Sequence, residues 1–203
     1  MRPSVAADQT GGRLILITGL PGAGKTTLAR FLGRRYTLPL IAKDTIKEPL
    51  LDLLHDDRRA VSLAAGPQSA RERSRALSDA SFAVLFALAR ELLALGSSLI
   101  LEGNFRKGEH ECELGEAALR RAGVGHLAIA QVLCHVPEEE RQGRLQARAH
   151  DPSRHPGHRA GELAGLTGGT SYLDLPGERW QLAATDGEPH AAWLATIERW
   201  LHS

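Results

Sequence analysis

Residues 13–26 read Arg-Leu-Ile-Leu-Ile-Thr-Gly-Leu-Pro-Gly-Ala-Gly-Lys-Thr, and they settle the architecture of everything around them. The apolar run Arg13 to Thr18, stopping at glycine, predicts a buried parallel strand. Gly19-Leu20-Pro21-Gly22-Ala23-Gly24-Lys25-Thr26 then fits G-x-x-x-x-G-K-[ST], with Thr27 extending the cradle into the following helix. Its glycines let backbone N–H groups turn inward around phosphate, and the helix beginning at Lys25 adds its positive end. Lys25 is placed to reach the β- and γ-phosphates of a nucleotide, and the Thr26 hydroxyl to ligate Mg²⁺. A glycine-rich strand-to-helix turn without function is the competing reading. Residue frequencies alone give a chance match on the order of 1% of the time or less.

Working outward, Thr26 to Arg35 carries Leu28, Ala29, Phe31 and Leu32 at helical spacing, and Leu38 to Ala42 reads as a second strand. Asp44 opens a helix as its N-cap, with a break at or near Pro49. Residues 68–95 form one long amphipathic helix closed by Gly96. Ser98 to Leu101 is a third strand, running into Glu102-Gly103-Asn104, and a helix follows over about 109–122. His126 to Val136 is a fourth strand, and Pro137 begins a helix rich in Glu and Arg. Residues 150–177 lose periodicity and gain Gly, Pro and His, as a lid and loop do. Trp180 to Ala184 and Pro189 to Leu201 supply a fifth strand and a terminal helix. Trp180, Trp193 and Trp200 are expected in the core.

Alternating strands and helices imply a parallel sheet covered on both faces, with ligands beyond the carboxyl ends of its strands. That rule brings Gly19–Thr26, Lys43–Asp44, Glu102–Arg106 and the segment after Val136 to one crevice. Asp44 there is either a helix cap or a carboxylate that takes a proton from a substrate hydroxyl. Glu102 could orient Mg²⁺ or, with Asn104, Arg106 and Lys47, bind substrate; an ion pair between Glu102 and Arg106 is the structural alternative. Arg141, Arg144 and Arg148 recur along one helical face, which is ordinarily a solvated one. Arginines on a closing lid also neutralise a transferring phosphoryl group, and on that ground Arg148 and Arg154 are the candidates.

The chain of 203 residues is most simply one domain, with residues 1–12 a flexible N-terminus and 13–203 the P-loop domain, its lid around 141–165. A formal charge of +1 argues against a nucleic-acid partner held by bulk electrostatics and leaves a local basic cleft open. Cys112 and Cys134 lack any metal or C-x-x-C spacing, and His150, His155 and His158 lack acidic or thiol companions. With no signal-type or membrane-length apolar stretch, a cytoplasmic protein is expected.

The run LILITGLPGAGKTTLARFL, with IAKDTIKE, LILEGNF and the Arg-rich stretch ending RHPGH, resembles the AAA_33-type group of small P-loop kinases. Its relatives include chloramphenicol phosphotransferase, zeta toxins and the kinase domain of polynucleotide kinase. The resemblance covers roughly Arg13 to Arg159 and implies a nucleoside-monophosphate-kinase-like fold. It implies that Asp44, just after the second strand, is the catalytic base, and that Arg148 and Arg154 clamp ATP. Where several relatives carry an arginine shortly after the base, this chain has Lys47.

These readings converge on an α/β three-layer P-loop NTPase fold with a five-stranded parallel sheet in the order 2-3-1-4-5 and a helical lid. The expected activity is transfer of the γ-phosphate of Mg·ATP to a hydroxyl of a small molecule of antibiotic, sugar or nucleoside type. The near-neutral charge sets this above a polynucleotide 5′-hydroxyl kinase. An ATP-binding regulator or ATPase without an acceptor, and a zeta-toxin-like enzyme, are the alternatives.

Overall fold

The computed structural model of the chain describes residues 11–55, 70–151, 171–183 and 189–203. The structure runs β1 (Gly12–Gly19), α1 (Lys25–Tyr36), β2 (Leu40–Ala42), α2 (Lys43–His55), α3 (Ala70–Ala94) and β3 (Leu99–Glu102). It continues with α4 (Glu111–Leu114), α5 (Glu116–Arg121), β4 (Leu127–His135), α6 (Glu138–Ala149), β5 (Glu178–Ala183) and α7 (Ala191–His202). The strands form one parallel sheet in the order β2-β3-β1-β4-β5, as the sequence predicts.

Alternation along β1 distributes the core to both faces of the sheet. Leu14 and Leu16 face one way, joined by Leu99 and Leu101 of β3 and by Phe82, Leu85 and Phe86 of α3. Ile15 and Ile17 face the other, against Leu28 and Leu32 of α1 and Leu194 and Ile197 of α7. A strand buried on both sides has no place for polar alternation, which is why β1 is a continuous apolar run. At the outer edge, Trp180 packs edge-to-face on Trp193 and Trp200, with centroids 6.5 and 5.5 Å away. Within β4, buried Gln131 donates to the Leu173 carbonyl at 3.1 Å and accepts from its N–H at 2.7 Å. That reciprocal pair satisfies a buried amide and holds the 171–175 segment on the sheet.

Three local expectations are corrected. Asp44 is not an N-cap: α2 already includes Lys43, so Asp44 lies in its first turn, where a carboxylate suits the positive helix end. Pro49 lies inside α2 and does not break it, although it can donate no bond to the Thr45 carbonyl. The helix expected over 109–122 is two short helices parted at Gly115, whose backbone is extended (φ −68°, ψ 156°). The N-terminus up to residue 10, the start of the long helix at 68–69, Arg154, Arg159 and most of the expected lid lie outside the described residues.

Candidate active site

The crevice is laid out by sheet register. Glu102 pairs in register with Ile17 of β1 on one side and Ala42 of β2 on the other. It therefore stands where three strands end, between the loop after β1 and the start of α2. On the far side of β1, Gly19 pairs with Cys134 of β4, so α6 begins against the same loop.

That loop needs glycine. Gly22 has φ +88° and Gly24 +83°, conformations in which an L side chain is strained. A Cβ at Gly22 would also stand 3.1 Å from Arg141 Cγ. Lys25 opens α1 and donates from Nζ to the Leu20 carbonyl at 3.1 Å, folding over the loop. The Thr26 hydroxyl donates to Glu102 Oε2 at 3.3 Å, bringing the two expected metal ligands together.

The charges here are desolvated. Burial pushes the Glu102 carboxyl above its ordinary range; Lys25 opposes that shift and Asp44 adds to it. Burial pushes the Lys25 ammonium down, against the attraction of Glu102 and then Asp44. Arg148, in the last turn of α6, is close enough to lower Lys25 further. Asp44 is half exposed and ion-paired to Lys43 at 3.0 Å. Lys43 is itself buried, with Nζ 5.8 Å from the centre of the Phe82 ring, so it is not a solvated rim residue.

The structure thus brings together Gly19–Thr26, Asp44, Glu102 and Arg148. Lys47 turns to α3, donating to Ser74 Oγ at 3.2 Å, and Asn104 is half-buried just past β3. Arg106 does not pair with Glu102. Its guanidinium reaches Asp79 on α3 at 2.8 Å and Glu109 at 3.0 Å, because the chain turns away from β3 at Gly103. Cys134, buried beneath the loop, has its thiol pushed up to about 12 by burial and is inert packing.

Arg141 emerges as part of the cradle's support. It is 2% exposed, although its spacing with Arg144 and Arg148 reads as a solvated face. Its Nε and Nη2 take the Glu138 carboxylate at 2.8 and 2.6 Å, and Nη1 donates to the Pro21 carbonyl at 3.3 Å. The signal in the sequence is its position: three residues after Glu138, at the head of the helix that follows the strand beside β1.

The site's donor set suits a magnesium-bound nucleoside triphosphate. The loop backbone and Lys25 match phosphate, while the paired Thr26 hydroxyl and Glu102 carboxylate offer hard oxygen donors for magnesium.

Comparison with known proteins gives the same direction. The AAA_33 family model, described as an AAA domain, matches residues 14–163. Uncharacterised proteins of Mycobacterium tuberculosis and Mycobacterium bovis are 30% identical over 137 residues, 68% of this chain. The chain spans about a quarter of the length of these relatives (26%). Among solved structures, a candidate kinase of Chloroflexus aurantiacus is 27% identical with a TM-score of 0.74, covering 94% of this chain and 96% of that one. The APS kinase CysC of Mycobacterium tuberculosis, solved with AMPPNP and APS, is 18% identical with a TM-score of 0.53 over 95% and 99% of the two chains. At that identity the second likeness shows the P-loop kinase fold and no more.

Proposed function

The chain belongs to the AAA_33 family, and on that premise we propose that it is an ATP-dependent kinase that phosphorylates a hydroxyl of a small molecule. One observation carries the reading. Lys25, the Thr26–Glu102 pair and the Asp44–Lys43 pair converge at the ends of β1, β3 and β2, which supports assigning phosphate, metal and base roles to one crevice.

Bound ATP with magnesium supplies the phosphoryl group and the counter-charge for its transfer. The backbone N–H groups from Gly22 to Thr27 and the Lys25 ammonium hold the phosphate chain. Thr26 and Glu102 hold the metal. Asp44, kept in place by Lys43, accepts the proton of the acceptor hydroxyl, the role a positioned carboxylate fills in phosphoryl transfer. Arg148, with Arg154, stabilises charge on the transferring group.

Asp44→Asn tests this reading against an ATPase without an acceptor. A pooled set of hydroxyl metabolites is incubated with γ-labelled ATP, and labelled products are resolved. The variant transfers phosphate at least about 10²-fold more slowly, the usual scale for a positioned base. Its ATP affinity stays within a few-fold of wild type, since no cap is lost and Asp44 is half exposed. Undiminished transfer removes Asp44 as the base. A collapse of ATP binding would assign Asp44 to the metal site instead.

A further inference from the structure

A second cleft opens beside the first, between α3 and the 106–113 segment. It encloses about 200 Å³, lined chiefly by Asp79, Phe82, Phe86, Arg106, Glu109 and His110. Phe82 is the wall the two clefts share. Its ring lies 5.8 Å from Lys43 Nζ and 4.1 Å from the His110 ring, and its edge would meet a Cβ at Gly103 at 3.1 Å. Resting on the kinase reading above, we propose that this cleft is the acceptor's specificity subsite, and that it takes a compact, hydroxyl-rich and non-anionic molecule, a sugar, cyclitol or amino sugar.

His110 makes the cleft a site and not a mere gap. It is 6% exposed, and its Nδ1 accepts the Arg106 backbone N–H at 3.1 Å. Burial, then the Arg106 charge, hold the imidazole below its ordinary range, against Glu109, Glu111 and Asp79. The ring is therefore neutral near pH 7. With Nδ1 accepting, its proton sits on Nε2, which has no hydrogen-bond partner among the described residues. That N–H is not among the buried polar atoms left without a partner, so it reaches solvent and can exchange its water for a ligand hydroxyl. Arg106 braces the mouth: it ties Asp79 of α3 to Glu109, and its Nε is buried without a partner. Each tied carboxylate keeps lone pairs for hydroxyl donors.

Size and charge narrow the ligand. Drug-sized sites begin near ~300 Å³, so this cleft suits a single small ring. The Phe82 and Phe86 rings, with centroids 6.0 Å apart and almost wholly buried, make its floor apolar. Asp79, Glu109 and Glu113 outnumber Arg106 and Arg90, the latter held by Glu113 at 2.6 Å. The residual negative charge opposes phosphate- and carboxylate-bearing acceptors. In the reaction, the acceptor oxygen forms the new P–O bond, the bridging β,γ P–O bond breaks to release ADP, and the hydroxyl proton passes to Asp44.

The test uses the whole chain with γ-labelled ATP and five probes: D-glucose, myo-inositol and D-glucosamine against D-gluconate and AMP. In parallel, the protein with ¹⁵N-labelled histidine is titrated with each probe, the His110 signals being assigned through His110→Gln. At least one non-anionic probe should accept phosphate and move the His110 ring nitrogens. Asp79→Asn, at an exposed position, and His110→Gln should each raise that probe's KM about tenfold, the size of one lost hydrogen bond, with the KM for ATP unchanged within twofold. Transfer to gluconate or AMP in preference would overturn the subsite and leave the kinase reading standing. Movement of His110 by a polyol without transfer to any probe would do the reverse. An acceptor KM indifferent to both substitutions, or His110 signals that no polyol moves, would remove the subsite.

Discussion

Replacing Arg141 by methionine isolates what the buried arginine does for the phosphate loop. Methionine fills most of the stem's volume, so the change falls on the guanidinium bonds and not on a cavity. Glu138 is well exposed and regains water, so its side of the pair adds only a small, pH-dependent part. The Pro21 carbonyl is half-buried and loses a charged donor at 3.3 Å. An acceptor stranded in that way costs about 1–2 kcal/mol, which for a chain of this size lowers Tm by about 2–8 °C. Pro21 and Gly22 line the cradle, so the KM for ATP should rise about tenfold while the acceptor's KM holds. Thermal unfolding followed by circular dichroism gives the first quantity, and initial rates at varied ATP give the second. The pH profile supplies a further check. Hydrogen bonds from Arg141, then Gln142, hold the Glu138 carboxyl down at about 2, against an ordinary 4.5. What this exposed pair adds is present above the ordinary value and lost as pH falls towards about 2, so the gap between wild type and variant narrows in acid to the part owed to the Pro21 carbonyl. Equal Tm and equal ATP KM in the two proteins would return Arg141 to the solvated face its spacing suggests.

Lys25→Ala should remove detectable transfer while Tm changes little, since Lys25 contacts only loop backbone and charge; normal turnover in labelled-ATP assays would end the central assignment. Glu102→Gln keeps an acceptor for the Thr26 hydroxyl but removes the charge, so a magnesium titration of activity should shift to higher metal concentration; an unmoved midpoint would take Glu102 out of the metal site. Gly22→Ala should destabilise by about 1–2 kcal/mol from its left-handed backbone alone, and more as its Cβ presses on Arg141; denaturant midpoints matching wild type would show that the loop relaxes freely.

What could be read from residues alone was the part that local chemistry dictates. The strand–glycine loop–Lys25 unit and the siting of Glu102 at a strand end follow from short-range pattern and the rule for parallel sheets, while the sheet order comes with the resemblance to small P-loop kinases. Two of the misreadings share a cause: each depended on which way one side chain turned. Arg106 lies four residues from Glu102, yet the chain leaves the sheet at Gly103 and carries it to Asp79, a partner 27 positions earlier. Arg141 sits at the same helical spacing as its exposed neighbours and differs only in abutting Pro21, 120 positions away. Asp44 misses the capping position by two residues, because α2 starts at Lys43 directly as β2 ends at Ala42, leaving no loop in which a cap could sit.

All the tryptophans of the chain, Trp180, Trp193 and Trp200, meet in one edge-to-face cluster between β5 and α7. Intrinsic fluorescence is therefore a single-corner reporter. It registers the docking of the terminal helix on the last strand, with Arg13 standing 5.3 Å over the Trp200 ring as a built-in modifier of its emission. A red shift on heating dates the release of α7, and a nucleotide-sensitive signal calls for a tryptophan introduced elsewhere, for instance at Phe31 on α1.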